Sequence, residues 1–219
     1  MPIEVLSMTL GAFATNAYLV ADSATKNAIL IDPVDSAPLI LNAAAERGWR
    51  IQMMIATHAH LDHVMASKAI KDDLGIPFCI HEECLPWLAD LPAQAKLFGL
   101  GDTPAAAQPD RLLTSASEVI ELDAIRLKTL YTPGHAPGHL SLLLESQKIL
   151  FSGDTLFAGS IGRTDLPGGD YPLLMRSIFE KLMALDDDIR VLPGHMGATT
   201  IGRERHTNPF LLSFDQNAQ

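Results

Sequence analysis

The chain is predicted to be an α/β protein folded as a single domain over residues 1–219, and three observations predict it. Short apolar runs alternate with helix-period stretches, the rhythm of sheets covered by helices. Residues 51–57 and 76–80 read as strands on either side of a helical pattern, a strand-helix-strand unit. Candidate metal ligands recur directly after apolar runs, where a rigid sheet displays functional loops. At 219 residues, 47% of them hydrophobic and 19% charged, the chain can bury a core without disulfide staples.

The elements follow in order. Residues 17–21 and 28–31 are apolar runs separated by a polar stretch, which predicts a hairpin. Asp32-Pro33 ends its second strand, because proline cannot continue a hydrogen-bonded ladder. A helix over 37–47 is stopped by Gly48. The buried strand 51–57 leads into a helix over 62–74, with Gly75 as its stop and Pro77 beyond. In the strand 76–80, Cys79 reads as a small buried residue. The pair Cys79 and Cys84 cannot make a disulfide framework. From 82 to 109, Pro86, Pro92, Pro104 and Pro109 break the chain into short helical turns and loops.

The second half repeats the pattern. Residues 125–130 alternate as a half-buried strand, and 140–144 and 149–152 are further strands of the same sheet. A glycine-rich loop over 159–169 precedes a helix over 171–185, spaced through Leu174, Ile178, Leu182 and Leu185. Residues 189–192 form a last short strand.

Charge narrows the partners. A formal charge of −10 disfavours nucleic acid, since phosphate binding needs a basic surface, but it leaves room for a pocket taking a small anion. Met1-Pro2-Ile3-Glu4-Val5 has neither a basic nor a continuous apolar export region, and no apolar run is long enough to span a membrane. The expectation is a cytoplasmic protein without a membrane partner, its oligomeric state open.

The chemistry concentrates in Thr57-His58-Ala59-His60-Leu61-Asp62-His63. A lone histidine is ordinarily a core or surface residue. Four imidazole and carboxylate donors within six residues, at a strand-to-helix junction, point instead to a first-row divalent metal. In extended chain His58 and His60 face one side, whereas Asp62 and His63 lie at the turn into the helix. One tetrahedral ion cannot readily use all four, so two adjacent ions are expected. Three other strand ends carry the same chemistry: Thr132-Pro133-Gly134-His135, Ser152-Gly153-Asp154 and Leu192-Pro193-Gly194-His195. Five imidazoles and two carboxylates divide into two three-ligand sets and one shared carboxylate.

The pattern His-x-His-x-Asp-His, followed by His135, Asp154 and His195, resembles the metallo-β-lactamase superfamily over nearly the whole chain. The resemblance implies a four-layer αββα sandwich. It also implies that His58, His60 and His135 hold one metal, that Asp62, His63 and His195 hold a second, and that Asp154 bridges them. Asp62 and Asp154 are then the catalytic carboxylates, with zinc as the first choice of metal and iron or manganese as alternatives. Gly153-Asp154-Thr155-Leu156-Phe157 is similar to the hydroxyacylglutathione hydrolases, the glyoxalase II family. Leu91-Pro92-Ala93-Gln94, Gly162-Arg163-Thr164-Asp165 and the stretch from Glu204 to Phe210 resemble its short bacterial, YcbL-type branch. That likeness implies hydrolysis of a thioester such as S-D-lactoylglutathione. About two dozen residues follow His195, too few for the family's separate C-terminal glutathione-binding helical domain. Where that family has a lysine and then a tyrosine, this chain has Arg163 and Asp165.

Arg163 suits a substrate carboxylate, or else a structural pair with Asp165 or Asp170. His139 is expected to be structural, Asp186-Asp187-Asp188 a solvated helix end, and Phe157 and Tyr171 either pocket or core. His81 and His206 have no partner pattern. Two other functions fit the residues. One is a persulfide dioxygenase with a single iron on His58, His135 and Asp154, and the other is a non-catalytic metal-binding module.

Overall fold

In the computed structural model, residues 3–101 and 105–217 are described, so Met1, Pro2 and Pro104 lie outside the described residues. Strands β1 (Ile3–Leu10), β2 (Thr15–Asp22), β3 (Asn27–Ile31), β4 (Arg50–Ile55), β5 (Phe78–His81) and β6 (Arg111–Leu113) form one sheet in chain order. Its first two pairings are antiparallel and the next three parallel. Strands β7 (Val119–Leu122), β8 (Ile125–Tyr131), β9 (Leu140–Leu144) and β10 (Ile149–Gly153) begin the second sheet. A small ribbon of β11 (Leu156–Phe157) and β12 (Ser160–Ile161) interrupts it before β13 (Arg190–Pro193) and β14 (Thr199–Thr200) complete the order β14-β13-β10-β9-β8-β7. Among the described residues, β10 and β13 are its only parallel pair.

Residue alternation explains the layering, because neighbouring side chains on a strand face opposite ways. Tyr18, Val20, Ile29, Ile31 and Ile55 of the first sheet meet Leu127, Leu140, Leu142, Phe151 and Leu192 of the second in a central core. Leu19, Leu30, Met54 and Phe78 point outward onto α1 (Ala37–Glu46) and α3 (Ser67–Leu74), through Ile40 and Ile70. On the far side Leu143, Leu150 and Val191 pack against Leu174 and Ile178, and against α7 (Ile201–Thr207) and α8 (Pro209–Asn217) through Ile201 and Leu211. Helix, sheet, sheet, helix is the predicted αββα sandwich. No helix of the described residues is long and apolar enough to cross a membrane.

Two predicted helices depart from expectation. The pattern over 62–74 splits into α2 (Leu61–Val64) and α3, because the Ala66 amide turns away to the carbonyls of Pro33 and Val34, at 3.0 and 2.7 Å. The helix expected over 171–185 is α6 (Tyr171–Ser177), capped by Asp170 accepting from the Leu173 amide. A wider turn over Ile178–Leu182 follows it, where Met183 N donates back to Ile178 O. The strand expected over 76–80 starts at Phe78, since Pro77 has no amide to give. Short helices α4 (Leu85–Ala89) and α5 (Leu91–Leu97) occupy the proline-broken region. Cys79 and Cys84 are free and buried, as expected for Cys79, and burial pushes the Cys84 thiol up to about 12.

Candidate metal centre

All seven sequence-predicted donors meet at one end of the sandwich, on the seam between the sheets. His58, His60, Asp62 and His63 leave the carboxyl end of β4, and His135, Asp154 and His195 follow β8, β10 and β13. Asn16 on β2 stitches the sheets together beneath them. Its amide donates to Gly194 O at 2.7 Å and its side chain to the carbonyls of Pro193 and Met196 at 2.9 and 3.0 Å.

Hydrogen bonds on the far side of each ring decide which nitrogen points inward. A carbonyl only accepts, so His135 donates from Nδ1 to Arg163 O at 2.7 Å and presents Nε2. Asp32 likewise accepts from His63 Nδ1 at 2.9 Å, leaving Nε2 free. Thr57 gives its hydroxyl proton to Asp32 and accepts from His58 Nδ1 at 3.0 Å, which again leaves Nε2. Asp32 also accepts from the Thr57 amide at 2.6 Å, so one buried carboxylate orders two rings and the loop between them.

The inward atoms form two groups. His58 Nε2 lies 3.1 Å from His60 Nδ1, which lies 2.9 Å from His135 Nε2. Asp62 Oδ2 lies 3.5 Å from His63 Nε2 and 3.2 Å from His195 Nε2. Between them Asp154 reaches both ways, with Oδ1 3.5 Å from His63 Nε2 and Oδ2 3.5 Å from His135 Nε2 and 3.4 Å from His195 Nε2. Donors on one tetrahedral zinc ion, each at about 2.05 Å, sit about 3.3 Å apart, so these spacings fit. The orphan atoms agree. Among the described residues the buried side-chain atoms without a hydrogen-bond partner are His63 Nε2, Asp154 Oδ1 and His81 Nε2, and two of these three face the centre.

The electrostatics separate the groups. Burial, with the neighbouring imidazoles, holds His58 well below its ordinary value and brings His60 to about 3, so these rings are neutral. Burial also works against charge on His63 and His195, but carboxylates outweigh it. Asp62, Asp154 and Asp32 hold His63 well above its usual range, and Asp154 and Asp62 raise His195 to about 10. Burial pushes the two partner carboxyls up, yet the imidazoles beside them prevail, leaving Asp62 at about 2 and Asp154 well below the carboxylate range.

Glycines make room for this crowding. A Cβ on Gly194 would stand 2.2 Å from Asp154 Oδ1 and 2.7 Å from His63 Cε1. At Gly134, φ is +129° and a Cβ would meet the Leu174 amide nitrogen at 2.2 Å.

Other candidates are placed as follows. His139 is structural: its Nε2 accepts from the Asp154 amide at 2.9 Å and its Nδ1 faces Thr132 Oγ1 at 3.0 Å. The Arg163 side chain lies at the pocket rim, its Nε and Nη2 bonded to Asp165 at 2.7 and 2.8 Å. Phe157 lines the pocket and Tyr171 does not. Asp187 and Asp188 pair with Arg205 and Lys148 at the surface. His81 stacks on Tyr131 away from the centre.

Sequence reasoning missed several supports. Thr15 Oγ1 donates to Asp62 Oδ2 at 2.7 Å, and Gln94 accepts from Leu61 N while donating to Ala59 O and Trp87 O. Asp32 carried a signal, since it follows an apolar strand just as Asp154 does. Thr15 carried none.

Comparison with known proteins agrees with this geometry. The chain is 41% identical to hydroxyacylglutathione hydrolase GloC of Haemophilus influenzae, over 97% of this chain and 99% of that one. The crystal structure of the BLEG-1 B3 metallo-β-lactamase superposes with a TM-score of 0.89 at 37% identity, covering 95% of this chain and 99% of that one. The structure of TTHA1623 in a di-iron-bound form superposes with a TM-score of 0.85, also at 37% identity, covering 94% and 100%. The metallo-β-lactamase superfamily model matches residues 10–195, a span that includes all seven donors, and the chain belongs to that superfamily.

Proposed function

We propose that the chain is a dinuclear metallohydrolase of thioesters, of the hydroxyacylglutathione hydrolase type. One observation carries the reading: two donor triads, His58/His60/His135 and Asp62/His63/His195, meet at one centre, and Asp154 lies within 3.5 Å of members of both. Two divalent cations, zinc first and iron or manganese as alternatives, would supply hydroxide near neutral pH and neutralise charge developing on a carbonyl oxygen. Asp154, whose carboxylate lies within 3.5 Å of His135 on one side and of His63 and His195 on the other, would help to hold both. Asp62, held by Thr15, orients the attacking water toward the carbonyl carbon. A thiolate with a pKa near ~8.5 leaves without a dedicated acid, and no such acid is needed at the mouth. Phe13, Phe98, Phe157 and Leu166 give the open cavity over the centre an apolar wall.

Arg163 is the cation available to a substrate carboxylate, which would have to compete with Asp165. The likeness to the Haemophilus influenzae hydrolase supports a glutathione-derived small molecule as substrate. A single-iron dioxygenase on His58, His135 and Asp154 would leave the triad of Asp62, His63 and His195 without a role. A non-catalytic metal module would leave the open cavity above the donors unused.

The test is turnover of S-D-lactoylglutathione by metal-loaded protein, beside a β-lactam and glutathione persulfide. Thioester cleavage that falls by more than about a hundredfold in Asp154→Asn supports the reading. Cleavage of the lactam alone, or oxygen uptake on the persulfide alone, would overturn it.

A further inference from the structure

Two cavities flank the metal centre, and their walls have a chemistry that thioester cleavage alone does not require. The first, about 320 Å³, lies over His60, Asp62, His135, Asp154 and His195. The second, also about 320 Å³, starts at His60 and runs along α4 and α5 past Trp87 to Leu97. His60, Phe98 and Leu166 line both, so the two spaces adjoin at the His60 imidazole.

The second groove is lined mainly by apolar side chains, with Asp90, Gln94 and His60 as its polar groups. The Trp87 ring stands edge-on to His60 with centroids 6.4 Å apart, and a Cβ on Gly168 would lie 2.7 Å from the indole, so the wall is packed from behind. Leu97 is 64% exposed and Phe98 38%, which leaves apolar surface facing the groove. Gln94 ties this wall to the loop carrying His60 through Ala59 O and Leu61 N. Among the described residues lining either cavity, Arg163 is the one lysine or arginine, and Asp165 already holds its guanidinium in a bidentate pair. The groove therefore offers hydrophobic contact and no cation to whatever is attached to a carbonyl beside His60.

We infer that this groove, walled by Trp87, Leu97, Phe98 and Leu166, is the acyl subsite, and that thioesters with an apolar acyl chain are preferred over short hydroxyacyl ones. The inference rests on the thioester reading and deepens it. The thiol arm then leaves through the first cavity, past Arg163. Full burial of one methylene is worth about a fourfold gain in binding, and an open groove recovers part of it, about threefold. Contacts made equally with bound substrate and transition state act through KM.

The experiment compares D-lactoyl, acetyl, butanoyl and hexanoyl thioesters of glutathione on metal-loaded protein, with a second series of hexanoyl thioesters built on thiols of different size. A lactoyl thioester turned over faster than the hexanoyl one overturns the acyl assignment. The expected result is kcat/KM rising about threefold per acyl methylene, chiefly through KM, with little dependence on the thiol. Leu97→Glu, at an exposed position, should remove most of that rise. Turnover without dependence on acyl length, a rise that follows the thiol, or a rise intact in Leu97→Glu overturns the acyl assignment while the thioester reading stands. Inertness toward every thioester overturns that reading and this one with it.

Discussion

Asp32 faces His63 across 2.9 Å in the buried interior, carboxylate oxygen to ring Nδ1. This contact fixes the outer nitrogen as the proton carrier and turns Nε2 toward Asp62 and Asp154. Asp32 touches no other atom of the second triad, so its effect on a metal there is indirect. Asp32→Asn should weaken the tighter-held state of that ion by about 10- to 100-fold. Competition against a chelator, resolving two binding steps, measures it; equal affinity at the second step would assign Asp32 to folding alone.

Proton release should distinguish the two positions. His58 and His60 are neutral near pH 7, so metal bound by the first triad displaces few protons. His63 and His195 are raised, His195 to about 10, so both carry protons that a ligand must surrender. Their folded values lie above the unfolded one, so in metal-free protein their ion pairs stabilise fully below about 6.5. For His195 that contribution is lost as pH rises through about 10. Affinity at the second position should accordingly climb with pH from 7 upward while the first stays flat. Calorimetry in buffers of different ionisation enthalpy reads the protons directly, and equal release at both steps would contradict the assignment.

Gly194 is a steric requirement. Alanine there would put a methyl 2.2 Å from Asp154 Oδ1 and 2.7 Å from His63 Cε1, both held by neighbours. Gly194→Ala should fold, because Asn16 and Gly153 still hold the turn by backbone bonds, yet bind about one ion fewer per chain. Elemental analysis with circular dichroism separates this from a folding defect; full metal content would refute the steric argument.

Gln94 closes the loop from outside. Gln94→Leu leaves Leu61 N and Ala59 O without these partners in a buried setting, at a cost of about 1–3 kcal/mol for each group. The expected outcome is a melting temperature lower by several degrees and slower turnover. An unchanged melting curve would mean that water replaces the amide.

Much of this architecture was legible in the chain, for physical reasons. Alternation in 125–130 and the continuous apolar runs at 28–31 and 140–144 each record which faces of a strand are buried, and the strands are there. The seven side chains that meet at the centre were legible as a cluster because each follows an apolar run through a turn at a strand end. The rest depended on contacts distant in sequence. The helix broke at Ala66 because its amide pairs with a loop about thirty residues earlier, and no local pattern encodes that. Thr15 acts on a residue 47 positions away through one hydrogen bond, and Gln94 on Leu61, 33 positions away, and on Ala59, which residue type alone does not reveal. The pairing of Arg163 with Asp165 is local, and the sequence offered it beside a substrate-binding role.

Two cations held side by side are the central claim, and stepwise metal titration of the metal-free protein tests it most directly. Binding should saturate at two ions per chain, thioesterase activity should appear only with the second, and Asp154→Ala should stop at one. Saturation at a single ion with full activity would contradict the account.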